Sequence, residues 1–199
     1  MIRSKAGVTW DENDSDEELT QLCRVALAAL HEEERRLNLA FTSSAEHLEY
    51  AHINRGLAYW LYETTLVYVV FRAWIPLVHV TWDYDRGAKR GPIDLTVRKN
   101  GELVRAFEAK HWMHNGNGPL DRLEQDRQKL SASGAPKQYL MTFWHTADVK
   151  KDLVSADVAC QRQDWHRSFV GWFPCDHVDD EARNYVLCVI DTSRAGERS

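Results

Sequence analysis

The sequence has no excess of basic residues, since 25 Lys and Arg stand against 30 Asp and Glu and the net charge is −5. A strongly basic chain would by itself indicate nucleic-acid binding, and this chain does not meet that criterion. The four cysteines, at positions 23, 160, 175 and 188, form no CxxC pair and no closely spaced framework. We therefore expect reduced thiols in a cytoplasmic protein, and any phosphate-bearing substrate must be recognised at a local site.

Long apolar segments are also missing. The first ten residues contain no apolar signal region, so secretion is not expected. The longest apolar stretch, Gly56 to Phe71, includes Glu63 and is shorter than the ~20 residues that a membrane span needs. The chain also lacks internal repeats and Pro/Gly/Ser-rich linkers. With 199 residues and 44% hydrophobic content, it is expected to form a single domain over 1–199, with no membrane partner.

Hydrophobic periodicity predicts an α/β fold with one mixed central sheet flanked by helices. The ends, 1–14 and 192–199, are expected to be frayed. Residues near Ser43 are predicted to cap the second helix. The predicted helices cover 15–38, 43–72, 120–132 and 148–159, and the predicted strands cover 75–83, 93–98, 102–112, 138–144, 168–173 and 185–191.

The candidate catalytic residues of this sequence lie in two segments, Pro92-Ile93-Asp94 and Glu108-Ala109-Lys110. Because side chains alternate along a strand, Glu108 and Lys110 project from one face, roughly 7 Å apart. Asp94 joins them only in one hairpin register. A two-residue Asn100-Gly101 turn would pair Asp94 with Phe107 and put it on the opposite face.

A three-residue loop over 99–101 would instead pair Asp94 with Ala106 and set Arg98 opposite Glu102. The other face would then carry a coherent apolar set. We therefore favour the three-residue loop, which brings Asp94, Glu108 and Lys110 together. The competing interpretation, a solvated strand face with a surface ion pair, predicts more polar neighbours than Val104 and Ala106.

Such a group suits phosphodiester hydrolysis, which needs an activated water and a nearby positive charge to neutralise the phosphate. Mg²⁺ is usually held by one or two carboxylates together with waters and substrate oxygens. Asp94 and Glu108 provide those carboxylates, and the carbonyl of Ala109 is a third oxygen. Lys110 would hydrogen-bond the attacking water or stabilise the developing charge. We also expect Glu63 to take part, because a carboxylate on an apolar helix rarely lies buried without a partner or a metal.

The pattern Pro-x-Asp, thirteen intervening residues and Glu-x-Lys resembles the PD-(D/E)XK, or restriction endonuclease-like, superfamily. The resemblance covers about 46–144 and leaves out an extra N-terminal helix at 15–38 and a C-terminal extension at 145–191. It implies an α-β-β-β-α-β core in which Asp94 and Glu108 bind Mg²⁺, Lys110 assists the nucleophile, and Glu63 is the acid on the helix and a further metal ligand. Gln125 matches a Gln that some branches carry, but Lys129 stands where those branches have an aromatic residue.

The basic segment with Arg86, Lys89 and Arg90 is expected to contact phosphates, as are Arg122, Arg127 and Lys129 on the following helix, although solvated charge is the ordinary alternative. Zinc ligation by the scattered His and Cys residues is disfavoured by their spacing. The leading hypothesis is a Mg²⁺-dependent nuclease acting on DNA, with Mn²⁺ as a substitute metal, and a homodimer would suit cleavage of both strands. The alternatives are a non-catalytic module binding nucleic acid or a protein partner, and a toxin or immunity-type protein.

Overall fold

The elements of the fold follow the predicted order from the second helix onwards. The computed structural model describes residues 2–5, 7–12, 16–44, 62–84, 92–111, 120–175 and 183–193. Within them the helices are α1 (Glu17–Ser44), α2 (Glu63–Trp74), α3 (Leu120–Ala132) and α4 (Val149–Arg162). The strands are β1 (Ile2–Lys5), β2 (Val8–Glu12), β3 (His79–Tyr84), β4 (Ile93–Lys99), β5 (Glu102–His111), β6 (Lys137–Thr146), β7 (His166–Cys175) and β8 (Arg183–Asp191).

All eight strands form one sheet in the order β1-β2-β7-β8-β6-β5-β4-β3. Strands β5 and β6 run parallel, and every other neighbouring pair is antiparallel. A parallel pair needs a crossover connection, and α3 lies in the segment between these two strands. The predicted mixed α/β sheet is therefore confirmed, and α2 to β6 run as helix, three strands, helix and strand.

The hydrophobic core has one cluster on each face of the sheet. Alternate residues of β6 point to opposite sides, so Tyr139, Met141 and Phe143 join the first cluster while Leu140 and Trp144 join the second. The first cluster contains the buried residues of α1 and α2, and the second contains those of α3 and α4. This arrangement places α2 and α3 on opposite faces of β4 and β5.

Two side-chain contacts fix α1 against its neighbours. The indole Nε1 of Trp74 in α2 donates a 2.8 Å hydrogen bond to the carbonyl of Leu22. The buried guanidinium of Arg105 in β5 reaches the start of α1, where it donates to Glu18 at 2.6 Å and to Asp16 at 2.9 Å. A buried guanidinium would be costly without such acceptors, so this pairing ties β5 to a helix almost ninety positions earlier.

The prediction of a frayed N-terminus is wrong for the described residues. Strands β1 and β2 form a hairpin, and β2 pairs antiparallel with β7 so that Trp10 lies opposite Gly171. Val8 and Trp10 are buried in the first cluster, and their burial adds apolar area that favours this packing. A five-residue strand with two core residues gives too short an alternation to be recognised from the sequence.

The predicted boundary between the first two helices is also wrong. Helix α1 continues to Ser44, so it includes Thr42 and Ser43, which were expected to cap the next helix. The predicted second helix reaches the described residues only as α2, and its earlier part lies outside them. Ser and Thr cost only about 0.7 kcal/mol or less per residue inside a helix, so their preference for a cap position does not by itself end one.

The loop predicted between β4 and β5 is wrong as well. Lys99 pairs with Glu102, so the turn has only two residues, and Arg98 lies opposite Leu103 instead of Glu102. Asn100 and Gly101 have φ angles of 54° and 84°, as a type I′ turn requires. Such a turn matches the right-handed twist of the strands, which explains why an Asn-Gly pair forms it.

A β-bulge next to the turn returns Asp94 to the face that the three-residue loop was expected to give it, but the predicted pairing of Asp94 with Ala106 is wrong, because Thr96 holds that position. The register shifts between Val97 and Arg98, so β5 contains one extra residue opposite this point of β4. Beyond the bulge, Thr96 pairs with Ala106 and Leu95 with Phe107. Continuation of this register sets Asp94 opposite Glu108, on the same side of the hairpin.

We expect Gly101→Ala to lower the free energy of unfolding by about 1 kcal/mol, because an L side chain is strained at a φ of 84°. No atom lies within 4 Å of the added Cβ, so the cost is conformational and not steric. Urea unfolding would measure it. Lys99→Ala, at an exposed neighbouring position, is the control, and equal stability of the two variants would contradict the assigned turn.

Candidate active site

The candidate site lies where the start of β4, the end of β5, the first turn of α2 and the middle of α3 meet. Asp94 projects from β4, and Glu108 and Lys110 project from β5. The structure therefore brings together the three residues expected from the sequence. Glu63 is the first residue of α2 and also reaches Lys110.

Asp94 and Glu108 are joined through the backbone of the hairpin. The amide of Asp94 donates to Glu108 Oε1 at 3.3 Å, and Asp94 Oδ2 accepts from the amide of Ala109 at 2.8 Å. Glu108 is only 2% exposed. The interpretation of a solvated strand face is therefore excluded for Glu108, and its carboxyl group is held beside that of Asp94 by the register of the two strands.

Burial dominates the electrostatics of this pair. It raises the pKa of Glu108 to about 8, with a further rise from the charge of Asp94, and the contact with Lys129 only partly offsets both. Burial also raises the pKa of Asp94, although the amide hydrogen bond from Ala109 opposes that rise. Two neighbouring carboxyl groups that resist ionisation form a site that a bound cation would stabilise.

Lys110 lies between two carboxylates on different helices. Its Nζ is 3.3 Å from Glu63 Oε1 on α2 and 3.6 Å from Asp126 Oδ2 on α3. Burial on its own lowers the pKa of Lys110, but the charges of Glu63 and Asp126 outweigh it and the pKa is raised. The ammonium group therefore stays charged, and its side chain lies on the same face of β5 as Glu108.

Glu63 has a second contact that fixes its position. Its Oε2 accepts a 2.7 Å hydrogen bond from the backbone amide of His111, the last residue of β5. One carboxylate thus joins the N-terminal turn of α2 to both the backbone and the Lys110 side chain of β5. Glu63 meets the lysine of the site directly, and its charge contributes to the raised pKa of Asp94.

Two further members of the site lie on α3: Asp126, for which no role was predicted from the sequence, and Lys129, which was expected to contact phosphates. Lys129 Nζ lies 2.8 Å from each carboxylate oxygen of Glu108. Asp126 Oδ2 is buried and accepts no hydrogen bond. The spacing of α3 indicates the inward position of Asp126, which lies three residues after the buried Leu123 and four before the buried Leu130.

Of the other predicted substrate contacts, Gln125 lies in the described residues and does not enter this site. Gln125 is exposed on α3, one position away from the inward-facing Asp126. Arg86, Lys89 and Arg90 lie outside the described residues. The site as described therefore consists of carboxylates and lysines supplied by β4, β5, α2 and α3.

Full ionisation would leave the site with an excess of negative charge. With all four carboxyl groups ionised, they and the two ammonium groups named above have formal charges of −4 and +2, so their sum is −2. Within the residues that the structure describes, no group of three or more His, Cys, Asp or Glu side chains is placed to hold a metal ion. Asp94 and Glu108 offer two neighbouring carboxyl groups, and one or two carboxylates is the number used by Mg²⁺ sites that waters and substrate complete.

The chain matches no protein-family model, no curated protein and no solved structure. In the described part of the chain, none of the helices combines the length and the apolar character needed to cross a membrane.

The raised pKa of Glu108 predicts an unusual pH dependence of stability. Between the unfolded value of 4.5 and the folded value of about 8, the folded state binds the extra proton, so wild-type stability falls as pH rises. Glu108→Gln cannot ionise. Its stability relative to wild type should therefore increase across this window, by at most about 1.4 kcal/mol per pH unit.

Thermal or urea unfolding at several pH values between 5 and 8, in EDTA, measures this difference. Glu102→Gln, an exposed position on the same strand, changes the net charge equally and should follow the wild-type profile. A constant difference between Glu108→Gln and wild type across the window would contradict the assignment.

Proposed function

We propose that this protein is a Mg²⁺-dependent nuclease with a restriction endonuclease-like, or PD-(D/E)XK, core that hydrolyses phosphodiester bonds in nucleic acid, with DNA as the expected substrate. The observation that carries the proposal is the β4–β5 register, which sets Asp94 opposite Glu108 with Lys110 two residues further on. The order of helix, three strands, helix and strand, with β5 parallel to β6, supports the same core.

Asp94 and Glu108 are the residues that would hold Mg²⁺, and the formal charge of −2 at the site favours a divalent cation. When bound, Mg²⁺ would lower the pKa of a water and neutralise charge on the phosphate. The amide of Ala109 holds Asp94 in place, and burial keeps bulk water away from Glu108. A role for Glu63 as a third metal ligand remains a prediction, since its described contacts are with β5.

Lys110 would act as a hydrogen-bond donor and a fixed positive charge. Its raised pKa keeps it protonated at neutral pH, so it is suited to orient a water or stabilise phosphate oxygens and not to accept a proton. Glu63 and Asp126 restrict the ammonium group from two helices. This restriction keeps the charge oriented before substrate arrives, which is the source of electrostatic stabilisation of a transition state.

The remaining assignments concern the substrate. Arg86, Lys89 and Arg90 separate β3 from β4 in the sequence, so we propose that they contact phosphates near the start of β4. Gln125, exposed on α3, would contact substrate only from outside the carboxylate cluster. Because the chain is acidic overall, these local cations would provide the attraction for a polyanion.

Lys110→Ala and Asp94→Asn should each reduce Mg²⁺-dependent cleavage at least 100-fold, which is the typical loss when one preorganised charged group is removed. Labelled single- and double-stranded DNA and RNA, incubated with Mg²⁺, Mn²⁺ or EDTA, provide the assay. Lys150→Ala is the matched control, because Lys150 is exposed on α4, away from the described site.

Circular dichroism and thermal unfolding establish whether each variant is folded. Cleavage by purified Lys110→Ala at the wild-type rate would overturn the catalytic assignment. Binding of nucleic acid by the wild type with no cleavage in either Mg²⁺ or Mn²⁺ would favour the non-catalytic alternative.

A further inference from the structure

Lys129 occupies a position on Glu108 that a metal ion would also require. Its ammonium group is 2.8 Å from both oxygens of the carboxylate, and so sits between them. Glu108 is almost fully buried and the side chain of Lys129 is only 19% exposed. The contact is therefore a largely desolvated charge pair, unlike the exposed ion pairs of α1, and much stronger coupling is expected from it.

A second cation on the same carboxylate would repel this ammonium group. Both charges would lie within a few ångströms of each other where little water screens them, and like charges at such positions oppose each other strongly. Lys129 therefore has to leave Glu108, or weaken its contact, for Mg²⁺ to bind there.

The fold offers Lys129 another partner on its own helix. Asp126 is three residues earlier on α3, so the two side chains lie on one face of the helix. Oxygen Oδ2 of Asp126 is buried without a hydrogen bond, and its nearest described cation, Lys110 Nζ, is 3.6 Å away. Lys129 can thus move from Glu108 towards Asp126 by changing its side-chain rotamer, without any movement of the helix.

We propose that Lys129 is a resident counter-cation of the active site, which holds Glu108 in place and is displaced towards Asp126 when Mg²⁺ binds. This inference depends on the proposed function, because it requires Asp94 and Glu108 to bind the metal. Lys129 is then a positioning residue that sets the Mg²⁺ affinity of the site. Lys110, held by Glu63 from the other helix, keeps its place through the exchange.

The test is Mg²⁺ binding to the full chain by isothermal titration calorimetry, at pH 8.5 after dialysis against EDTA. Lys129→Met preserves most of the side-chain volume and removes the competing charge. We expect it to bind Mg²⁺ at least fivefold more tightly than the wild type, a change that a merely damaged site would not produce. Lys129→Arg, which keeps the charge, should not bind more tightly than wild type.

Lys150→Met is the matched control, since it removes one positive charge from an exposed position on α4 and should leave the affinity unchanged. In EDTA, Lys129→Met should also show a lower Tm than Lys150→Met, because Glu108 loses its ion-pair partner. With Mg²⁺ near saturation the order should reverse, or the difference should disappear.

The possible results separate the two proposals. Wild-type binding of Mg²⁺ with equal or weaker binding by Lys129→Met would overturn the role of Lys129 and leave the nuclease proposal standing. Absence of Mg²⁺ binding in both proteins would overturn the metal site itself, and the inference with it. Binding by Lys129→Met alone would support the inference in its strongest form.

Discussion

The pairing of Asp94 with Glu108 across β4 and β5 is the constraint on which the rest of the site depends. Side chains alternate along a strand, so a slip of one residue would turn Asp94 towards the helices that cover Leu95 and Phe107. The Asn100-Gly101 turn alone would produce that slip, and the adjacent bulge removes it. The geometry of the carboxyl pair is therefore set by two backbone features at the far end of the hairpin.

Once the register places two carboxyl groups side by side in a buried position, the surrounding elements must compensate for their charge. Lys129 from α3 contacts Glu108, and Lys110 is held by one acid from each of two helices. These contacts do not bring the site to neutrality, and burial still raises the pKa of Glu108. A binding site commonly retains such unfavourable groups, because the ligand supplies the missing interaction.

The same contacts connect the site to the overall packing. Glu63 joins α2 to the end of β5, while Arg105 joins the other part of β5 to the start of α1. Strand β5 is thus anchored at both ends by charged groups, and it contributes to both core clusters between them. The strand that carries Glu108 and Lys110 is therefore among the most restrained in the structure, as a preorganised site requires.

By itself, the sequence determined the helices and strands with clear periodicity and the identity of the residues at the centre of the candidate site. Helix 120–132 was predicted because its periodicity is a local property, and the shared face of Glu108 and Lys110 follows from strand alternation. Asp94 was expected beside them through a three-residue loop that does not form. The tertiary structure alone decided the N-terminal hairpin, the bulge, and the entry of Asp126 and Lys129 into the site. Each depends on contacts between distant segments: β2 is stabilised by β7, and Lys129 meets a carboxylate twenty-one residues away. Local pattern can indicate which side chains face inwards but not which partners they meet, since the energy of these pairings arises only when the sheet and α3 have packed together.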